Sequence, residues 1–259
     1  LSTRVDVPDT RDEVGELARS FNDMAERLET SFAAQSAFVA DASHELRTPL
    51  HALRGQIAVL LRVIDDRPAE ARDLAGFMRR EIIRMTALVE DLLVLARLEA
   101  QGAEALDCGV VDLGDVAHDV VEQSRALPIV GRRTIRLDTS ERRVLVPGDP
   151  RRLHQVILNL TTNAIQHAPE DGCVQVDVRQ VDGYALLEVR DDGPGLAPEH
   201  LEQLFDRFYR ADASRERIAG GAGLGLAITR VIVEAHGGTV AARNAVGGGA
   251  VFAVHLPVA

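Results

Sequence analysis

The stretch Leu153-His-Gln-Val-Ile-Leu-Asn159-Leu-Thr-Thr-Asn163-Ala-Ile-Gln-His-Ala168 places two asparagines in one predicted helix, which begins near Pro150. Asn159 and Asn163 are four residues apart, so their carboxamides lie on the same helix face. A carboxamide oxygen is a hard ligand of the kind that Mg²⁺ accepts, together with waters and phosphate oxygens. The stretch therefore predicts a helix with one polar face that suits a metal-bound phosphate.

The sequence around this helix predicts an α+β sandwich, with helices on one face of a mainly antiparallel sheet. Strands near 173–179 and 185–190 alternate in hydropathy on either side of Asp182-Gly183, which is typical of a hairpin turn. Gly247-Gly-Gly249 is interpreted as a hairpin bulge before the last strand. Further helices are predicted near 113–126 and 224–236, and further strands near 134–137, 144–146, 239–243 and 250–256.

Before residue 108 the pattern is helical. Apolar residues recur in steps of three and four, as in a coiled coil, along 14–28, 39–64 and 78–96. A turn at Asp65-Asp-Arg-Pro68 separates the last two series, so we predict an all-α helical hairpin. Because a lone hairpin leaves its apolar stripe uncovered, we expect two copies to form a dimeric four-helix bundle. The apolar series shifts in phase after Leu28, between the first and the second series. The shift is either incidental or a point through which a register change in the first helix is transmitted to the second.

The composition excludes several classes of function. The chain has 259 residues, of which 46% are hydrophobic, enough for one large or two modest domains. It contains no lysine, which excludes a P-loop lysine, a Schiff-base lysine and the strand lysine of a serine/threonine-type protein kinase. A net charge of −11 argues against direct nucleic-acid binding. The apolar runs are far shorter than the roughly 18 residues that span a bilayer, so we expect this chain to be soluble.

His44 is the candidate nucleophile. It lies two residues from both Ala42 and Leu46, about 200° around the helix, so it points away from the apolar series. An imidazole with an ordinary pKa of about 6.5 is mostly neutral and nucleophilic at pH 7. Glu45 is placed to accept its proton. Pro49 removes the hydrogen bond to the Glu45 carbonyl and loosens this turn.

Two glycine-rich segments follow the asparagine helix. Asp191-Asp-Gly-Pro-Gly195 comes after a predicted strand, where glycines let a ligand approach the backbone closely. Gly220-Gly-Ala-Gly-Leu-Gly-Leu226 opens the helix near 224–236, whose free amides and dipole favour anionic phosphates. Either segment alone is typical of a turn.

The segment Phe38-Val-Ala-Asp-Ala-Ser-His-Glu-Leu-Arg-Thr-Pro-Leu50 strongly resembles the H-box of sensor histidine kinases. The asparagine helix is similar to the N-box of that family, the aspartate-glycine turn to its D-x-G-x-G box, and Leu204-Phe-Asp-Arg-Phe-Tyr-Arg210 to its F-box. These motifs follow the family's order, and the resemblance covers residues 38 to about 256. It implies a catalytic domain of the fold shared by gyrase, heat-shock ATPase chaperones and histidine kinases.

The resemblance implies roles for three residues of the H-box. His44 would accept the γ-phosphoryl group of ATP, and Glu45 would be the general base. The phosphoryl group would then pass to an aspartate of a response regulator. Thr48 would orient the water of a phosphatase reaction on that regulator, so the resemblance implies a bifunctional enzyme.

The same resemblance implies the residues that hold ATP and Mg²⁺. Asn163 would be the Mg²⁺ ligand, Asp191 would accept a hydrogen bond from the adenine amine, and Arg210 would meet the γ-phosphate. The interval 208–220 would form a mobile lid over ATP. The full implied set of cofactor-binding residues is Asn159, Asn163, His167, Asp191, Gly193, Gly195, Arg210, Gly221, Gly223, Leu224, Gly225 and Leu226.

Three positions separate this chain from related patterns. ATPases of the fold place a glutamate at position 159 to activate water, whereas Asn159 cannot act as a base. Transfer is therefore favoured over hydrolysis. The family's usual lysine is replaced by Gln166 and its frequent tyrosine by His167, which removes one positive phosphate contact.

The resemblance also implies a domain organisation and a set of partners. We expect a partial HAMP linker at 1–31, a dimerisation and histidine-phosphotransfer hairpin at 32–107, and a catalytic ATP-binding domain at 108–259. The expected partners are a second copy of the chain and a response-regulator receiver domain. The segment Asp12-Glu-Val-Gly-Glu-Leu-Ala-Arg-Ser-Phe-Asn-Asp-Met24 is similar to the second helix of a HAMP linker, which in the family joins a transmembrane segment to the kinase. The resemblance therefore implies the cytoplasmic part of a bacterial inner-membrane sensor. Because the chain begins at Leu1 in mid-pattern, we expect it to be a fragment of a longer protein.

Two other functions remain open from the sequence. Gln166 and His167 are compatible with a pseudokinase hub that binds nucleotide without chemistry. The shared fold is compatible with an ATP-driven clamp of the gyrase type, although Asn159 argues against it.

Overall fold

The computed structural model describes residues 13–64, 67–140, 142–210 and 223–259. The chain divides into two compact units between Met85 and Thr86. A continuous helix crosses this division, so the predicted domain boundary near residue 108 stays a prediction. Among the described residues, no helix combines the length and the hydropathy of a membrane span.

The first unit is a helical hairpin, as predicted. Helix α1 is Glu13–Val63, and helix α2, which continues into the second unit, is Pro68–Gln101. The apolar series 14–28 and, except for its last residue, the series 39–64 lie in the single helix α1, which continues through Pro49. Residues 65 and 66 of the predicted turn lie outside the described residues, and Arg67 N–H still donates to the Val63 carbonyl at 2.8 Å.

The second unit is an α+β sandwich, which confirms the predicted fold class. Its five-stranded sheet has the order β2-β4-β5-β7-β6, in which only the β2–β4 pair is parallel. Strands β1 and β3 form a separate antiparallel pair. The elements are β1 (Gly109–Asp112), α3 (Leu113–Arg125), β2 (Thr134–Thr139), β3 (Leu145–Gly148), α4 (Pro150–His167), β4 (Cys173–Val181), β5 (Tyr184–Asp191), α5 (Gly225–Ala235), β6 (Thr239–Asn244) and β7 (Ala250–Pro257).

Helices α3, α4 and α5 pack on one face of the sheet. Alternate residues of β4, which are Val174, Val176 and Val178, are buried beneath them. The opposite face is charged: Glu188 accepts hydrogen bonds from Arg179 and from Arg243, both of which are exposed. The period-two pattern of a sheet with one covered face therefore holds for β4. Strand β1 was not predicted.

A buried hydrogen-bond network fixes the start of α4, the helix that carries the two asparagines. The Asp149 carboxylate caps α4, accepting from Arg151 N–H at 2.9 Å and from Arg152 N–H at 3.3 Å. The Asp149 N–H donates to His236 Nε2 at 3.0 Å, and His236 Nδ1–H donates to the Ile232 carbonyl at 2.7 Å. Burial lowers the pKa of His236, so the ring stays neutral, as these two bonds require. The network ties α4 to α5.

Candidate nucleotide-binding site

A cavity of about 530 Å³ lies beside α4 in the second unit. It brings together most of the cofactor-binding residues that the sequence predicted, although the two asparagines, the aspartate and the glycines come from separate parts of the chain. Those that line it are Asn159, Asn163, His167, Asp191, Gly195, Arg210, Gly223, Leu224, Gly225 and Leu226. Gly193 lies next to the lining residue Asp191. Gly221 and residues 211–220 of the predicted lid lie outside the described residues.

Asp191 ends strand β5 and is only 2% exposed. Its Oδ1 accepts hydrogen bonds from Gly193 N–H at 2.8 Å and from Ala250 N–H at 3.3 Å. Both of these bonds use the same oxygen, so Oδ2 can accept a hydrogen bond from a ligand in the cavity. Burial raises the pKa of Asp191, against the opposing effect of the two backbone donors. A buried carboxylate with one oxygen fixed by backbone donors suits the recognition of a donor such as an amino group.

Two glycines let the backbone pass close to this carboxylate. A Cβ on Gly193 would lie 2.6 Å from Asp191 Oδ1 and 2.7 Å from the His167 carbonyl oxygen. A Cβ on Gly249 would lie 1.8 Å from the Asp191 carbonyl oxygen, and Gly249 has a φ of +86°. The sequence predicted Gly249 only as part of a hairpin bulge. The structure adds that it packs directly on the backbone of Asp191.

Asn244, which the sequence analysis missed, holds the loop that follows Asp191. Its Oδ1 accepts from Leu196 N–H at 2.6 Å, and its Nδ2 donates to the Leu196 carbonyl at 2.8 Å. The same Oδ1 would lie 2.8 Å from a Cβ on Gly195, which has a φ of +80°. Asn244 is the last residue of β6, 48 positions from Leu196. No local pattern links the two residues.

We expect Asn244→Ala to weaken nucleotide binding by about fivefold, because the loop loses two hydrogen bonds that order it. Isothermal titration calorimetry with ADP measures the change. Val246→Ala is the matched control, because Val246 lies in the adjacent β6–β7 turn and is 95% exposed. Equal affinities for Asn244→Ala and the unmodified chain would show that Asn244 does not order the binding loop.

The other end of the cavity is formed by Asn159 and the start of α5. Asn159 Nδ2 donates to the Gly225 carbonyl at 3.0 Å. The residue before α5 is Leu224, which has no side-chain group to cap the helix, so the first amides of α5 are available to an anion. Gly223 has a φ of +71°, and its carbonyl accepts from Phe208 N–H at 3.0 Å. This geometry suits phosphate oxygens.

His44, Glu45 and Thr48 belong to the first unit, whereas the cavity is formed by residues of the second. The side chain of His44 is exposed and that of Glu45 is half-buried. Thr48 Oγ1 donates to the His44 carbonyl at 3.5 Å. The exposed ring agrees with the orientation predicted from the helical period, and the roles of these residues stay predictions.

Three family models match the chain in succession. They are the HAMP domain at residues 1–30, the "His Kinase A (phospho-acceptor) domain" at 34–101, and the "Histidine kinase-, DNA gyrase B-, and HSP90-like ATPase" at 148–259. A solved mycobacterial sensor histidine kinase, MprB, is 30% identical, with a TM-score of 0.51 over 58% of this chain and 97% of that one. The chain belongs to the sensor histidine kinases. The resemblance seen in its motifs is thereby confirmed.

The curated relatives are longer than this kinase chain. The probable sensor histidine kinase TcrY of Mycobacterium tuberculosis is 39% identical over 268 residues, which cover 100% of this chain and 55% of TcrY. BaeS of Escherichia coli is 36% identical over 262 residues, covering 100% of this chain and 54% of BaeS. The chain therefore spans about half the length of these relatives. The histidine kinase ThkA was solved in complex with a response regulator. It is 23% identical, with a TM-score of 0.70 over 96% of this chain and 68% of that one. It therefore shows the same fold.

Proposed function

We propose that this chain transfers the γ-phosphoryl group of ATP to His44 and then to an aspartate of a response-regulator receiver domain. The observation that carries the proposal is the cavity that joins Asn159 and Asn163 to the buried carboxylate of Asp191. The second unit, which contains this cavity, has the fold and the motifs of the family's ATPase domain. The domain organisation we propose is the one expected from the sequence: 1–31, 32–107 and 108–259.

The cavity determines how the nucleotide would be oriented. The adenine amine would donate to Asp191 Oδ2, since Oδ1 already accepts the two backbone donors. The phosphates would lie toward the first amides of α5, where Arg210 also lines the cavity. Asn159 replaces the water-activating glutamate of the ATPases and instead hydrogen-bonds the Gly225 carbonyl. The cavity would therefore hold ATP without the glutamate that activates water in those ATPases.

Mg²⁺ fits the donors at the phosphate end. Asn163 is half-buried and lines the cavity one turn after Asn159, so its carboxamide oxygen would be the protein ligand. Bound beside the phosphates, Mg²⁺ would neutralise part of their charge. An amide ligand shared with phosphates and waters is the usual arrangement for this ion.

Residues of the H-box supply the nucleophile and the base for the transfer step. A ring nitrogen of His44 attacks the γ-phosphorus, the bond from phosphorus to the β–γ bridging oxygen breaks, and ADP leaves with the electron pair. Glu45 takes the imidazole proton. The phosphoryl group then moves from nitrogen to a carboxylate oxygen of the receiver aspartate. In a separate phosphatase reaction, Thr48 orients the water that hydrolyses this acyl phosphate. The chain is then bifunctional.

The hairpin would pair with a second copy of the chain. In the single chain its apolar residues stay exposed, with Leu50 at 49%, Ile57 at 43%, Ile64 at 50% and Ile82 at 53%. These residues recur at helical spacing, so they form a stripe that a second hairpin would cover. The match to the HAMP domain at residues 1–30 supports a position on the cytoplasmic side, joined to a membrane-bound sensor.

The experiment that tests this function is incubation with γ-labelled ATP and Mg²⁺, followed by addition of candidate receiver domains. We expect a label on the chain that is lost in acid and kept in alkali, and that moves to the cognate receiver. Nucleotide binding without label would identify a pseudokinase hub instead. Steady ATP hydrolysis without a labelled protein would identify a gyrase-type clamp.

A further inference from the structure

An acidic side chain from α2 reaches the nucleotide cavity. Asp91 belongs to the part of α2 that lies in the second unit, and it lines the cavity together with Asn159 and Asn163. Gln155 Nε2 donates to Asp91 Oδ1 at 3.4 Å. The Glu99–Arg207 ion pair joins the end of the same helix to the segment before Arg210. The last turns of α2 are therefore docked on α4 and on the segment before Arg210.

The position of Asp91 along α4 places it at the phosphate end. Gln155, Asn159 and Asn163 recur at four-residue intervals on α4, and His167 follows at the Asp191 end, where its carbonyl lies against Gly193. Gln155 and His167 are separated by about 18 Å of helix. Asp91 contacts Gln155, so its carboxylate lies at the end of α4 away from Asp191. Asn159, one turn further along α4, contacts Gly225 at the start of α5. Asp91 therefore belongs to the end of the cavity where the phosphates would lie.

We infer that Asp91 lowers the affinity of the cavity for ATP relative to ADP while α2 is docked. The inference rests on the proposed function, because it takes the cavity to be the ATP site. An ionised carboxylate beside the phosphates repels each added negative charge, and low local dielectric strengthens that repulsion. ATP carries one more phosphate than ADP, so ATP is penalised more. By reciprocity, bound ATP weakens the docking of α2 by the same factor.

The protonation of Asp91 supports this electrostatic effect. Burial, aided by the charge of Glu90, raises the pKa of Asp91 to about 6. Asp91 is therefore ionised at pH 7 and becomes neutral just below pH 6. The charged neighbours of Asp91 are Glu90 on α2 and Arg152, which is hydrogen-bonded to Gln155 on α4. The other titratable or charged groups that line the cavity are Asp191, His167, His200 and Arg210.

The test is calorimetry on the full chain with Mg²⁺ and either ADP or a non-hydrolysable ATP analogue. We expect Asp91→Asn to strengthen binding of the analogue by about three- to tenfold and that of ADP by less. The dissociation constant of the ATP analogue divided by that of ADP should therefore fall in Asp91→Asn. Glu90→Gln removes the same charge one residue away on an exposed position, and we expect it to change the ratio by less than about twofold.

A pH series separates Asp91 from the histidines of the cavity. For the unmodified chain, affinity for the ATP analogue should rise as pH falls from 7 to 5.5, relative to Asp91→Asn at each pH. An unchanged ratio with normal binding would overturn this inference and leave the proposed function intact. Weaker analogue binding by Asp91→Asn would make Asp91 a metal or phosphate-binding ligand and also overturn it. No binding of either nucleotide by the unmodified chain would overturn the proposed function itself.

Discussion

We expect His44→Gln to abolish the transfer of labelled phosphate from ATP to this chain, lowering incorporation by at least about 1000-fold. Glutamine has a similar reach and can form hydrogen bonds, but its carboxamide is not a nucleophile at neutral pH. Nucleotide binding should be unchanged, because the cavity is formed by residues of the second unit. Acid-labile label on the chain, measured after a fixed incubation with Mg²⁺ and ATP, is the readout.

His51→Gln is the matched control. His51 is exposed one heptad after His44 on the same helix, and its Nδ1 lies 2.8 Å from the Arg47 carbonyl. It has no acidic neighbour in the chain, in contrast to the pair formed by His44 and Glu45. Phosphate incorporation should therefore persist in His51→Gln. Label retained in His44→Gln and lost in His51→Gln would move the phospho-acceptor to the second histidine.

Asp191→Asn should lower affinity for ATP by about 100-fold or more and change which base the cavity prefers. The Asn Oδ1 can still accept from Gly193 N–H and Ala250 N–H, so the amide nitrogen takes the place of Oδ2. That nitrogen is a donor and faces the donor amine of adenine. Inosine triphosphate has an acceptor oxygen at the same position, so its affinity relative to ATP should rise in the variant.

The stability of Asp191→Asn distinguishes a binding role from a structural one. Burial raises the pKa of Asp191, so the folded chain holds this proton more tightly than the unfolded chain. Stability therefore falls as pH rises from the ordinary carboxyl value of about 3.9 through the raised pKa. At pH 7 the variant removes a buried charge, and its melting temperature should be equal or higher.

Asp177→Asn is the control for the general effect of removing such a carboxylate. Burial also raises the pKa of Asp177, which lies on β4 paired with Glu188 and does not line the cavity. We expect no change in its nucleotide affinity. If Asp191→Asn binds ATP normally, Asp191 does not recognise the base. The same conclusion follows if its loss of affinity is matched by a loss of folding stability.

Local patterns were sufficient for the helices and for the motifs. The spacing of Asn159 and Asn163 placed both in the cavity, because four residues are about one turn of any α-helix. The exposure of His44 followed from the same period. Most strand ends were predicted to within two or three residues, since alternation identifies a strand that has one covered face.

The residues that the sequence analysis missed are those whose partners lie far away in the chain. Asn244 and Leu196 are 48 positions apart. Gly249 meets Asp191 because β5 and β7 are neighbours in the sheet, with Arg190 opposite Val251. That pairing is a property of strand order, which no short segment encodes.

By itself, the sequence determined which groups are available for chemistry: an outward imidazole on a helix, two carboxamides on another, an aspartate at the end of a strand and uncapped helix amides. Helical and strand periods act over a few residues, so these features are local. Only the tertiary structure decided which oxygen of Asp191 is held by backbone donors and that Asp91 lines the same cavity. Both depend on backbone segments brought together by sheet pairing and by helix docking, where contact is set by three-dimensional packing and not by sequence distance.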